Sequence, residues 1–267
     1  FSALNYIFSD SKTISDRLDN ISYTHPSLFI IQYAAAQTLL HYGYTPAALI
    51  GVSLGEILAA VVSDMMSWET ALNLVVNQSR MIQKQCQMGS MLAIFGPKEI
   101  FWETPELYNL LTFAADNFAN HFVVSGDMES INNAKENMLK LNIVTHEIPT
   151  QYAFHSHQME PIKLEYLTYL STVQLAKPKY KMISCATGMS LIQPASSHFW
   201  DVLRQPIMFR QVIEQLEKGN SYQYIDLGPS GTLATFIKYA LPNNSVSNVI
   251  PTMMPAAKGS LIENLNR

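Results

Sequence analysis

The strongest chemical signal in this 267-residue chain is the pentapeptide Gly51-Val52-Ser53-Leu54-Gly55, followed by Glu56. It fits G-x-S-x-G, the pattern of a nucleophile held on a sharp strand-to-helix turn. The surroundings agree: Ala47–Val52 is an apolar run behind Pro46, and Glu56–Asp64 has helical character. On such a turn Ser53 is presented as a nucleophile, and the glycines admit close backbone approach. The N–H of Leu54 then faces a developing oxyanion at the helix N-terminus. A nucleophilic serine requires a base. Among seven histidines, Tyr152-Ala153-Phe154-His155-Ser156-His157 holds two candidates, and spacing alone does not bring either to Ser53.

Elements that could position these residues alternate along the chain, which argues for an α/β fold. Phe29–His41 reads as a helix, Ala47–Val52 as a buried parallel strand, and Trp68–Cys86 as a longer helix. From Met88 the texture changes. Strand-like segments at Met88–Phe95, Leu111–Ala115, Phe122–Ser125 and Ile143–Ile148 are separated by helical signals at Lys98–Leu111 and Met128–Leu141. That β-α-β-β-α-β order is the order of a ferredoxin-like unit. The larger body resumes near Tyr152, with strands at Lys181–Cys185 and Tyr224–Leu227 and helices at Phe199–Lys218 and Thr232–Tyr239. The expectation is an α/β-hydrolase-like large subdomain over residues 1–87 and 152–267, with a ferredoxin-like small subdomain inserted at 88–151.

Composition removes other classes. Hydrophobic residues make up 48% and charged residues 14%, so a disordered chain is excluded. The net charge of −4 lacks the basic excess of a nucleic-acid binder. Cys86 and Cys185 are too few for a disulfide framework, and His155-x-His157 alone is too little for zinc. No apolar run reaches the roughly 18 residues that span a bilayer. A cytoplasmic enzyme without metal, membrane or nucleic-acid partner is the expectation.

Gly51–Glu56 together with Ala153-Phe154-His155-Ser156 resembles the malonyl-CoA:acyl-carrier-protein transacylases and the acyltransferase domains of polyketide synthases. Further pieces follow in order: Thr24-His25-Pro26-Ser27-Leu28-Phe29, Ala114-Ala115-Asp116-Asn117, Val124-Ser125-Gly126, Phe199-Trp200, Arg204-Gln205-Pro206 and Asp226-Leu227-Gly228-Pro229. The resemblance covers nearly the whole chain. It implies a Ser–His dyad, with Ser53 as nucleophile and His155 as general base; His157 is the weaker candidate. It also implies a backbone carbonyl four positions before the late proline that orients the imidazole, which places that role on Val202. The substrate acyl group would arrive on the phosphopantetheine of an acyl carrier protein or on CoA, with no cofactor held by the chain itself. Polyketide synthase modules would be the partners.

Three departures sharpen this. Malonyl-type members carry an arginine 25 residues after the nucleophile, where it grips the free carboxylate of the extender unit; the residue here is Gln78. Arg80, two residues on, should face away from Gln78 on a helix. Val52 stands where the family usually has His, and Tyr152-Ala153-Phe154-His155 mixes the patterns of different acyl specificities. Gln78, Val52, Tyr152 and Phe154 are therefore the expected acyl-pocket residues. Finally, the family opens with a strand and a G-Q-G turn that supplies a second oxyanion donor. Nothing in Phe1–Asn20 looks like it, so the first strand is expected to be missing from this sequence.

Loss of the arginine resembles the acyl hydrolase branch that accompanies synthases lacking built-in acyltransferases. The leading expectation is a hydrolase that removes stalled acyl groups from carrier proteins. The alternatives are an acyltransferase that loads an acyl or malonyl-type unit onto a carrier, and a non-catalytic docking module. The basic run Lys177–Lys181 could face an acidic carrier or simply be a solvated loop.

Overall fold

The computed structural model describes residues 20–253. The expectation about a missing opening strand concerns residues outside that range.

The first helix, α1, runs from Ile21 to His41, beginning well before Phe29. Asn20 caps it by accepting from the Ser22 N–H at 3.1 Å. Pro26 lies inside it and is buried along with Ile21 and Phe29. Packing of that face offsets the backbone hydrogen bond the proline cannot make. Strand β1, Leu49–Gly51, then enters the turn at Ser53, and α2 (Leu54–Val62) and α3 (Trp68–Gln85) follow. Ser67 caps α3 by accepting from the Thr70 N–H.

The middle of the chain forms a four-stranded sheet from β2 (Ser90–Ile94), β3 (Thr112–Phe118), β4 (His121–Gly126) and β5 (Thr145–Ile148). Its order is β3-β4-β2-β5 and every neighbouring pair is antiparallel. Short helices α4 (Glu99–Glu103) and α5 (Pro105–Tyr108) connect β2 to β3, and α6 (Met128–Lys140) connects β4 to β5. This is the split β-α-β unit that the element order predicts. Strand β2 is buried on both faces, which is why it reads as uninterrupted apolar sequence. Leu92 and Ile94 join Phe122, Ile131 and Met138 in a core of the small unit, while Met91 and Ala93 face the main core.

Beyond the small unit a 3-10 turn at His157–Ile162 leads into α7 (Lys163–Leu170). Strand β6 (Met182–Ser184) pairs in parallel with β1, and β7 (Ser190–Leu191) turns back on β6. The single helix expected over Phe199–Lys218 is two helices, α8 (His198–Arg204) and α9 (Phe209–Leu216). Pro206 breaks it, because proline supplies no N–H and drives the preceding residue out of the helical region. Gln205 accordingly is extended, with φ −81 and ψ 156. Ile207 then bridges to the small unit, donating to the Ala114 carbonyl at 2.8 Å and accepting from the Asp116 N–H at 2.9 Å. The chain continues through β8 (Gln223–Pro229) and α10 (Thr232–Ala240) to β9 (Asn248–Met253), parallel to β8. Among the described residues no helix is long and apolar enough to cross a membrane.

Candidate active site

Two of the described residues that take a positive φ without being glycine are Ser53 (φ 50) and His155 (φ 58). Such backbone costs a few kcal/mol at most and persists only where its surroundings impose it. At Ser53 the cause is the tight turn from β1 into α2. A Cβ at Gly51 would come to 2.4 Å from the Glu56 Cα, so only glycine lets the strand close on the helix. Gly55 has open space around it and carries no such demand. The N–H groups of Gly55 and Glu56 are taken by the carbonyls of Val52 and Ser53. The Leu54 N–H, at the first helical position, has no intrahelical acceptor.

His155 is 2% exposed and is held from three sides. Its N–H donates to the Leu203 carbonyl at 3.2 Å. Its Nδ1 lies 2.9 Å from the Gln205 carbonyl and its Nε2 lies 3.1 Å from Ser53 Oγ. A carbonyl can only accept, so Nδ1 carries the proton and Nε2 is left as the acceptor for the Ser53 hydroxyl. Burial lowers the His155 pKa to about 4, against a smaller opposing effect of the Gln205 carbonyl. The ring is therefore neutral at pH 7, the state a general base requires.

The orienting carbonyl is thus Gln205 and not Val202. Helix α8 continues through Arg204, so the Val202 carbonyl follows the helix axis. Pro206 forces Gln205 into the extended region, which turns its carbonyl aside toward the imidazole. Position relative to the proline was the only cue in the sequence, and it does not reveal where the helix ends. His157 is exposed and contacts Thr112 Oγ1 at 3.3 Å, and it is His155 that meets Ser53.

Gln78 is 5% exposed on α3, and its Nε2 donates to the Tyr166 hydroxyl at 2.8 Å. Burial raises the Tyr166 pKa, so the phenol stays neutral. Arg80 faces solvent, and among the described residues no lysine or arginine is buried. Tyr152 and Phe154 are buried with ring centroids 6.4 Å apart, in the same core cluster as Tyr166. Val52 is separate from them: it packs against the cluster of Ile183, Phe209 and Ile213 and does not share the surroundings of Gln78. Ser53, Leu54 and Val52 line a cavity of about 610 Å³ between β1 and β8; His155, Gln78, Tyr152 and Phe154 do not line it, so it is not the cleft in which Ser53 meets His155.

Three further buried groups carry no local signal in the sequence. Tyr166 looks like an ordinary helix-face residue. His25 places its ring 5.5 Å from that of Phe154, its Nδ1 is buried without a hydrogen-bond partner among the described residues, and burial lowers its pKa to about 4. Glu56 is wholly buried, and its carboxylate meets His198 Nε2 at 2.8 Å. In the basic run, Lys179 pairs with Asp64 at 3.2 Å at an exposed position.

Residues 8–266 match the family model described as the acyl transferase domain. The chain belongs to the acyl transferase domain family. The polyketide biosynthesis acyltransferase homolog PksD of Bacillus subtilis (strain 168) is 34% identical to this domain, covering 95% of the chain and 78% of the relative. BaeD of Bacillus velezensis, similarly named, is 35% identical over 97% of the chain and 80% of its own length. Solved structures agree on the fold. A loading acyltransferase from the avermectin modular polyketide synthase gives a TM-score of 0.89 at 20% identity, over 100% of this chain and 84% of that one. The acyltransferase domain from the second module of the salinomycin polyketide synthase gives 0.87 at 21% identity. This acyl transferase domain covers 99% of itself but 62% of that salinomycin chain. The α/β fold expected from the sequence is the fold these neighbours share.

Proposed function

We propose that this acyl transferase domain is a serine acyl hydrolase that releases acyl groups from acyl carrier proteins during polyketide assembly. The observation that carries the proposal is the Gln78–Tyr166 pair. A neutral amide is tied to a neutral phenol at the position where malonyl-type relatives, by resemblance, hold a carboxylate with arginine. An unpaired carboxylate buried there would cost several kcal/mol, so uncharged acyl chains are favoured.

In this reading Ser53 and His155 are the catalytic dyad. The Ser53 hydroxyl passes its proton to His155 Nε2 and attacks the thioester carbonyl. The Leu54 N–H receives the oxyanion. His155 returns the proton to the departing phosphopantetheine thiol of the carrier protein, or of CoA, leaving an acyl-Ser53 ester. Water gives a proton to Nε2 and attacks that ester. As the second tetrahedral species collapses, the bond to Ser53 Oγ breaks, Nε2 returns its proton to that oxygen, and the carboxylic acid is freed. In this reading Ser53, His155 and the Leu54 N–H are the groups the chain contributes, while the acyl thioester and the water come from outside it.

A transferase reading is favoured by the names of the Bacillus relatives, because a carrier thiol can replace water in the second half of the cycle. The full-length protein is incubated with acetyl-, butyryl- and malonyl-carrier proteins and the carrier mass is followed. Free holo-carrier should accumulate from acetyl and butyryl species faster than from malonyl. Passage of the acyl group to a second carrier without release overturns the hydrolase reading. An absence of any adduct on Ser53 points instead to a docking module.

A further inference from the structure

We propose that Glu56 and His198 are a positioning pair that sets the register between Ser53 and His155. The inference rests on the dyad reading above and assigns work to two residues outside it.

Glu56 follows the nucleophile by three residues, and its N–H donates to the Ser53 carbonyl at 2.9 Å. Its Cα and Cγ press on Gly51 so closely that no side chain fits there. The residue is therefore rigid with respect to the serine turn. Its carboxylate reaches outward to two other elements. One oxygen accepts from Ser184 Oγ at 2.9 Å and from the Ala186 N–H at 3.1 Å, at the end of β6. The other meets His198 Nε2 at 2.8 Å. Every one of these groups is buried.

His198 opens α8, and the same short helix ends at the two carbonyls that hold the base. Leu203 accepts from the His155 N–H, and Gln205 accepts from His155 Nδ1. A continuous path of polar contacts thus runs from Ser53 through Glu56, His198 and α8 to His155. The dyad halves are 102 residues apart in sequence, and the Glu56–His198 contact spans 142. A hydrophobic pair of the same volume would fill this space. It would not fix a distance, because apolar contacts slide whereas a charge-assisted hydrogen bond holds a single donor–acceptor line. Dyad chemistry depends on such a line, since a displacement of about 1 Å costs on the order of 100-fold in rate.

The test measures labelling of Ser53 by a fluorophosphonate in the full chain, separating the maximum inactivation rate from the half-saturating concentration. This reagent needs the dyad but neither water nor a carrier as acceptor. If the wild-type protein is not labelled at Ser53, the dyad reading itself has failed. If it is labelled, His198→Leu should lower the maximum rate at least about tenfold with a half-saturating concentration within about threefold. His198→Gln keeps an N–H for Glu56 and should recover most of the rate. Should His198→Leu not fold, Glu56→Gln/His198→Leu removes the uncompensated carboxylate and takes its place. Wild-type rates in the folded leucine variant, or equal losses with leucine and glutamine, overturn the proposal.

Discussion

The imidazole of His155 is steered by main chain and not by a carboxylate: its Nδ1 lies 2.9 Å from the Gln205 oxygen, 50 residues later in the chain. A carboxylate there would stabilise the imidazolium and raise its pKa. A carbonyl carries only a partial charge, so burial dominates and the base stays neutral far into acid.

That balance predicts the pH dependence. With a pKa of about 4, His155 Nε2 is free to accept a proton above that value and blocked below it. The acid limb of Ser53 labelling should therefore fall near pH 4 and not near the ordinary histidine value of 6.5. Folding follows the same linkage. Between about 6.5 and 4 the unfolded chain binds a proton that native His155 refuses, so stability declines as pH falls through that window. A pH–rate profile with its acid limb at 6.5 contradicts this.

Replacing Gln78 by arginine tests the acyl pocket. Gln78→Arg should raise malonyl reactivity relative to acetyl by about tenfold or more, because a bidentate partner offsets the buried carboxylate. The unliganded variant should melt earlier, since the new charge has no buried counterpart. Mass spectrometry of the Ser53 adduct after competition between malonyl- and acetyl-carrier proteins gives the ratio. An unchanged ratio would mean that Gln78 does not contact the acyl group.

Tyr166→Phe removes the acceptor of the buried Gln78 amide. Leaving that donor unpaired should cost about 1–3 kcal/mol of stability. The double variant Gln78→Leu/Tyr166→Phe removes both polar partners and should recover much of the loss. Urea denaturation of the three proteins is sufficient, and a double variant no more stable than Tyr166→Phe refutes the pairing.

The two glycines of the nucleophile turn should respond differently. Gly51→Ala drives a Cβ to 2.4 Å from the Glu56 main chain, which cannot give way. We expect destabilisation of about 3 kcal/mol or more. Gly55→Ala meets nothing within 4 Å and should change stability by less than about 1 kcal/mol. Thermal melts compare them directly, and similar losses in both would remove the steric account.

Some of this could be read from neighbouring residues alone. The apolar run, the serine between two glycines and the helical segment after them define the turn at Ser53, because backbone sterics act over a few residues. The β-α-β-β-α-β order likewise emerges from local periodicity and is found in the sheet order β3-β4-β2-β5. His155 stands out from His157 only through the family resemblance, and no spacing in the sequence gives its distance from Ser53. Local reading failed where a helix boundary depends on packing. Pro26 lies inside α1 with its face buried, while Pro206 divides what reads as one helix, and packing then holds the break open through the pairing of Ile207 with β3. The resemblance, counted back from Pro206, points to the Val202 carbonyl, whereas it is the Gln205 carbonyl that meets His155 Nδ1. The contacts that complete the site join residues 102, 88 and 142 positions apart, namely His155 with Ser53, Gln78 with Tyr166, and Glu56 with His198. The sequence by itself determined the tight turn that carries Ser53 and the order of the elements, since each follows from short-range covalent geometry and periodic burial. The tertiary structure alone decided which carbonyl orients the base and which neutral or charged partner meets each buried polar group, because those pairings exist only once the elements have packed.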